Sequence, residues 1–302
     1  MDHAVAQEAV QAVAEVAHEA GQVVEHAAGH GAAHGHDPAQ YILHHVADGD
    51  LLELPGKDGF ATDISLKHLF GEWHVGGLDL TPTKLTVMLW IAAAAVCLAL
   101  WAATKKRGAV PKGRGQTVVE TLFLFVRDEI AEKSIGHGSR AFVPFLATCF
   151  FLILGINFLG LIPYGATATG NVNVTVVLAA MTFLMTQLAG MKAQGVGGYW
   201  AHLVPAGVPW WLYPLMLPIE FIGLFTKPFA LTMRLFANMV AGHIVLFFIL
   251  GLVFFLKSAA VGVGTVPLGF AIFLLETFVA LVQAYVFTLL SAVFIGMASH
   301  AH

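Results

Sequence analysis

YPLMLPIEFIGLFTKPFALTMRLFANMVAGHIVLFFILGLVFFL, residues 213–256, runs for 44 residues without a charged loop. Its ionisable side chains are Glu220, Tyr213, Lys227, Arg234 and His243. Wound as one α-helix, the stretch would be about 66 Å long, more than twice the ~30 Å hydrocarbon core of a bilayer. Two spans with no polar turn between them would be hard to connect. A single long, steeply tilted helix resolves the conflict, with Pro228 the place for a bend.

Composition agrees with a membrane setting. Of 302 residues, 58% are hydrophobic and 11% charged, and mean hydropathy is +0.77. A soluble domain of this length carries roughly twice that charge. Downstream of residue 256, a polar, Gly-rich turn (Lys257–Pro267) is expected to lead into a second long helix over 268–298. The C-terminal third thus reads as a hairpin of two long tilted helices. Upstream, apolar runs predict spans over 85–103, 143–162 and 174–191, five crossings in all. Residues 117–133 set Val118, Leu122, Phe125, Val126 and Ile130 against Glu120, Arg127, Asp128 and Glu129, the pattern of a helix lying on the membrane surface. The expected fold class is all-α integral membrane: about five membrane-crossing helices plus amphipathic surface helices.

Charge sets the orientation. Residues 1–56 hold nine acidic side chains and no Lys or Arg, whereas Lys105, Lys106, Arg107, Lys112, Arg114, Arg127, Lys133 and Arg140 crowd one loop region. By the positive-inside rule that loop is cytoplasmic, the N-terminus extracytoplasmic and, after five crossings, the C-terminus cytoplasmic. The N-terminus lacks a basic n-region and a compact apolar h-region, so the first span is expected to direct insertion.

Three regions follow. Residues 1–36 form a flexible Ala/His-rich extension. Residues 37–84 form an extracytoplasmic segment with a short surface helix at DPAQYILHHV (37–46), and residues 85–302 the membrane domain. Eight histidines fall within residues 1–45, and they read as solvated, titrating side chains rather than a metal site. Cys97 and Cys149 lie inside apolar runs as buried or lipid-facing thiols. Neither has a His or carboxylate at ligand spacing, so no metal is expected.

Ionisable groups in hydrocarbon are costly and are functional candidates by default. Four are deep in this sequence: Glu220, Arg234, His243 and Glu276. Lys227 is a fifth whose stem can snorkel to an interface. Arg234 has no charged residue within six positions on either side. Arginine keeps its proton, so a cation persists there and something beyond the local helix must compensate it. An internal ion pair with Glu220 or Glu276 is the plain alternative to a functional role. Glu220, Lys227 and Arg234 are seven apart and share one helix face, with a drift of about 20° per step. Asn238 follows on that face, four residues on. His243 lies about half a turn round and ~13 Å further along. On the last helix Glu276 and Gln283 are again seven apart. Two facing helices therefore bear polar strips that can host water and relay protons. Asn157 and Gln187 in the earlier spans are candidates to extend them, though each alone is more often a hydrogen-bonded helix contact.

At these residues the chain resembles the family of F-type ATP synthase subunit a. LFTKPFALTMRLFANMVAGHI (Leu224–Ile244) is similar to the family signature with its R-L-x-x-N core. LVQAYVFTLLSAVFIGMASHAH resembles the family's last helix, INFLGLIPY (Ile156–Tyr164) and NVNVT (Asn171–Thr175) its earlier spans, and YILHHV its N-terminal surface helix. The likeness runs in order over residues 40–302.

The resemblance implies a stator proton channel whose hairpin faces the rotating c-ring. Arg234 corresponds to the essential arginine opposite the ring carboxylates, Asn238 to the amide one turn on, and Gln283 to the polar partner on the last helix. Glu220 matches the acid of the cytoplasmic half-channel, and His243 and Glu276 fall at the outer one. Many bacterial members place the acid first and the histidine second there; this chain has the reverse. It also has Ala230 where the family often has a small hydroxyl residue. The implied partners are the c-ring, the subunit b stator, the other F0 and F1 subunits, membrane lipid and the translocated H+, with Na+ the alternative ion. No cofactor, bond-making catalysis or nucleic acid is implied, and the expected location is the bacterial plasma (inner) membrane. A secondary ion-coupled transporter is the rival, and it calls for inverted repeats and paired broken helices. A structural scaffold would leave the buried charges without a purpose.

Overall fold

The computed structural model describes residues 51–55, 61–65, 71, 74–75, 78–79, 81–105, 113–136, 138–162, 167–201, 212–256 and 259–299. Five helices in it are long and apolar enough to cross a membrane, as the apolar runs require. They are α1 (Lys84–Thr104), α4 (Val143–Gly160), α5 (Val172–Gln194), α7 (Tyr213–Leu256) and α8 (Ala259–Ser299). In hydrocarbon each backbone amide and carbonyl needs an internal partner, so an apolar run of this length has no stable alternative to the helix. α5 starts where Asn171 caps it, its side-chain oxygen accepting from the Asn173 amide at 2.8 Å. It ends at Gly195, whose φ of +77° suits a residue without a Cβ.

α7 continues as one helix of 44 residues through Pro218 and Pro228, so the long apolar stretch has no turn within it. α8 differs from expectation. The turn expected over Lys257–Pro267 is helical from Ala259 onward, and Pro267 lies inside α8. The segment AAVGVGTV is apolar despite its glycines, and the Thr265 hydroxyl donates back to the Val261 carbonyl at 3.2 Å. Continuing the helix satisfies backbone groups that a Gly-rich turn would leave unpaired.

The surface helix predicted over 117–133 extends from Arg114 to Ile135 in three pieces: α2 (Arg114–Leu124), a π-helical segment (Phe125–Glu132) and α3 (Lys133–Ile135). The wider π turn brings Val126, Ile130 and Ala131 into the protein core together, all at 0% exposure. Arg127, Asp128 and Glu129 stay outward, where Arg127 pairs with Asp128 at 2.6 Å and Lys133 with Glu129. Val118, expected on the apolar face, is exposed.

Ahead of the membrane helices stand two small antiparallel hairpins, β1 (Leu51–Pro55) with β2 (Ala61–Ser65) and β3 (His74–Val75) with β4 (Leu78–Asp79). The sequence reading had no strands, and LLELP and ATDIS on either side of GKDGF are the strand–turn–strand pattern it passed over. The 1–36 extension and the surface helix at 37–46 lie outside the described residues.

α4, α5, α7 and α8 share one core with the π segment, built on Ile130, Ile135, Leu146, Phe150, Ile153, Leu178, Leu231, Leu235, Phe287 and Ile295. α8 packs through small residues in i, i+4 steps: Ala280, Ala284, Thr288 and Ala292, all fully buried. Lipid is as apolar as leucine, so close approach of this kind rather than water exclusion holds membrane helices together. α1 is the outlying helix, attached where Ala92 is buried and Val96 fills the space that Gly155 of α4 leaves open.

Candidate functional site: two polar ends and a cation between them

α7 carries the site. Leu231, Leu235 and Met239 turn into the core, which leaves Arg234 exposed on the other side of the helix. Its neighbours one turn away on that side, Ala230 and Ala237, are small and exposed, and Asn238 is half-buried. Among the described residues, the ion pairs present are Arg127–Asp128 and Lys133–Glu129. Glu220 and Glu276 are both described, and neither pairs with Arg234. The internal ion pair weighed as the plain alternative is therefore not what the fold builds.

At one end of the bundle, marked by Lys192 and the C-terminus of α8, lies a cavity of about 230 Å³. Its lining includes Glu220, Lys227, Gln187, Gln194, Thr186 and Tyr199. That volume has room for several waters. Gln194 donates to the Ala298 carbonyl at 3.1 Å and ties α5 to α8 beside it. The Lys227 ammonium sits 5.6 Å from the centre of the Phe294 ring, a cation–π arrangement that holds the charge at the cavity wall. Tyr199, on the short helix α6 (Val196–Ala201), closes one side by packing on Gly190, and burial pushes its phenol upward.

A second polar cluster lies at the opposite end, around the 3₁₀ turn Ala168–Gly170. The Thr167 hydroxyl and His243 Nε2 are 2.6 Å apart. His243 also stacks on Phe247, with ring centres 6.4 Å apart. Thr169 donates to the Asn157 carbonyl oxygen at 3.0 Å, and the Asn157 amide reaches the Ala280 carbonyl of α8 at 3.5 Å. Glu276 comes across from α8 to lie against Gly242, where a Cβ would stand 2.6 Å from Oε1. Both Glu276 oxygens are shielded and take no hydrogen bond among the described residues.

The axial order follows from the helix rise. Glu220 lies ~21 Å before Arg234, and His243 ~13.5 Å beyond it. The antiparallel contact of Gly242 with Glu276 sets the level of the facing helix. Seven residues back along α7 and seven forward along α8 bring Leu235 and Gln283 to one height, so buried Gln283 stands level with Arg234. Of the residues predicted from sequence, Glu220 thus falls in one polar end and His243 with Glu276 in the other. Arg234, Asn238 and Gln283 lie between.

The sequence that builds this arrangement matches a known family. The model for the ATP synthase A chain matches residues 86–296. The ATP synthase subunit a of Myxococcus xanthus (strain DK1622) is 59% identical over 226 residues, 74% of each chain. The chain belongs to the ATP synthase A chain family. Similarity extends to ATP synthase subunit a of Anaeromyxobacter sp. (strain Fw109-5), 48% identical over 303 residues that cover 90% of this chain and 74% of the relative. ATP synthase subunit a 2 of Chlorobaculum tepidum is 48% identical over 281 residues, 91% and 77% of the two chains. Like its family, the chain is a multi-pass membrane protein.

Sequence reasoning missed several residues that shape this A-chain site. Thr167 and Thr169 sit in a Gly/Thr-rich turn, and nothing in their spacing announces a partner. Gly160 and Gly242 look like ordinary small residues of apolar helices; their use is visible only once Thr167 and Glu276 occupy the space beside them. Tyr199 follows a glycine pair in what reads as an interfacial loop.

Proposed function

We propose that this chain is the stator subunit of the membrane proton channel of an F-type ATP synthase, and that Glu220, Arg234, Asn238, His243, Glu276 and Gln283 carry the protons. The observation that carries this is Arg234, without an ion-pair partner among the described residues and on the exposed side of α7, between a polar cluster at one end and a Glu220-lined cavity at the other. The Lys192 end is cytoplasmic and the Thr167 end extracytoplasmic, by the excess of Lys and Arg in the loop over 104–141.

Protons enter past Glu276 and His243 and neutralise a carboxylate of the c-ring. The neutral carboxyl then moves into lipid, which an ionised one does not do cheaply. After nearly a full turn it returns and releases its proton toward Glu220 and the inner cavity. Arg234 repels a proton that would cross directly from one end to the other, and it favours the ionised carboxylate as it passes. Small Ala230 and Ala237 allow the ring to come close. A membrane potential supplies ~2.3 kcal/mol per charge per 100 mV. Because the two ends are offset, that energy appears as rotation. The subunit makes and breaks no covalent bond, and assembles with the c-ring, the subunit b stator and the rest of the complex in the bacterial plasma membrane. The secondary transporter calls for paired broken helices, whereas α7 and α8 are each unbroken.

The decisive experiment replaces Arg234. Arg234→Ala is expected to abolish proton-driven ATP synthesis and to open a passive proton leak through the assembled complex. Arg234→Lys is expected to fail as well, because an ammonium is a point charge without the planar fork. Synthesis and proton flux are measured in sealed vesicles, with assembly read from the membrane-bound complex. Coupled synthesis at the parental rate by assembled Arg234→Ala overturns the proposal.

A further inference from the structure

We infer that Thr167 is the positioning residue for His243, and that Gly160 is a glycine so that Thr167 can reach it; this rests on the channel role proposed for His243. The hydroxyl lies 2.6 Å from Nε2, inside the range of a strong O–H···N or N–H···O bond. A threonine hydroxyl both donates and accepts. It therefore donates to Nε2 when the imidazole is neutral there and accepts from it when the ring is protonated. A residue that gains and loses a proton on every passage keeps the same partner in both states, so the ring need not swing to find one. An ionised carboxylate at this position, which only accepts, would favour the protonated ring.

The local fold is arranged around this hydroxyl. Thr167 is buried, at 6% exposure. It precedes the 3₁₀ turn Ala168–Gly170, whose Gly170 amide donates to the Thr167 carbonyl at 2.8 Å. Thr169, two residues on, anchors the turn to Asn157 of α4. The last residue of α4 is Gly160. A Cβ there would run into Oγ1 of Thr167 and lie 2.9 Å from its Cα, so backbone as well as side chain would have to move. α4 thus ends in a residue that makes room for a threonine, the threonine holds a histidine on α7, and the carboxyl of Glu276 from α8 lies against the residue preceding that histidine. Three helices and one turn fix the imidazole.

The test separates the hydroxyl from the shape of the side chain. Thr167→Val keeps the shape and removes the hydroxyl, while Thr167→Ser keeps the hydroxyl and removes a methyl. Passive proton conduction is measured in vesicles carrying the full complex stripped of its catalytic head, normalised to assembled complex. Thr167→Val is expected to lower conduction about tenfold, the equivalent of one lost hydrogen bond to a charged group, and Thr167→Ser to retain most of it. In a His243→Ala background the two variants are expected to conduct alike. Parental conduction by Thr167→Val, or a larger loss in Thr167→Ser than in Thr167→Val, assigns Thr167 to packing and overturns the inference. Parental conduction by His243→Ala overturns the channel role of His243 itself, and the inference with it.

Discussion

Replacing Gly242 by alanine tests whether Glu276 works through its position. The added Cβ would stand 2.6 Å from Oε1 of Glu276, but 3.3 Å from Cδ and 3.4 Å from Cγ. Ordinary van der Waals contact begins near 3.4 Å, so the oxygen must retreat by about 0.8 Å while Cδ gives by about a tenth of that. A turn of about 45° about the Cγ–Cδ bond moves the oxygen that far, and because this terminal torsion is broad the cost stays at about 1 kcal/mol or less. Such a cost leaves the hairpin folded. Function is less tolerant: a group misplaced by ~1 Å can lose on the order of 100-fold in rate, so a 0.8 Å retreat should slow proton flux on the order of tenfold. Shortening the carboxylate restores the room, and Gly242→Ala with Glu276→Asp should be less impaired than the product of the two single changes. The assay is proton-driven ATP synthesis together with passive conduction in vesicles, each normalised to assembled complex. Parental flux in assembled Gly242→Ala would show that the contact places nothing that matters. Loss of assembly would show that the carboxyl cannot give way, and either result refutes the reasoning.

Other glycines predict the opposite kind of damage. At Gly296 a Cβ would meet the Ser134 carbonyl oxygen and lie 3.1 Å from its carbon, both backbone atoms. Gly296→Ala should therefore destabilise the chain by about 1–3 kcal/mol, read as a lower thermal midpoint of the purified complex, and unchanged stability would contradict the packing of α8 on α3. Gly190→Ala should act likewise, because the Cβ would enter the Tyr199 ring. Tyr199→Phe keeps that ring and should leave the thermal midpoint within about 2 °C of the parent, no more than the shift a 1 kcal/mol loss gives in a domain of this size.

What the sequence disclosed and what it hid divide along physical lines. Apolar run length decides whether a bilayer can be crossed, so α1, α4, α5 and α7 could be read from the run alone. The start of α8 could not. Gly262, Gly264 and Pro267 are turn residues in water, and the pull of unpaired backbone in lipid outweighs their propensity. The π segment was hidden for another reason: a 3.6-residue period predicts Val118 inward, but a wider turn resets the phase after Leu124 and buries Ala131 beside Ile130. For the site, charge was the visible signal. Arg234 and Glu220 stand out because a charge in an apolar run needs a partner or a purpose. Thr167 carries no charge, and its importance lies in a hydrogen bond to a residue 76 positions away. Such contacts belong to tertiary structure, and one sequence gives no phase for them.

The 44-residue length of α7 has a mechanical consequence. Glu220, Arg234 and His243 ride on one helix, so a sideways thrust on the guanidinium is passed along it to the other two, with Pro228, which has no N–H to donate, the softer point between Glu220 and Arg234. Any deflection is shared by the helix as a whole, braced on α5 and α8. In the stator role proposed above, the load on the guanidinium is therefore carried by three helices rather than one.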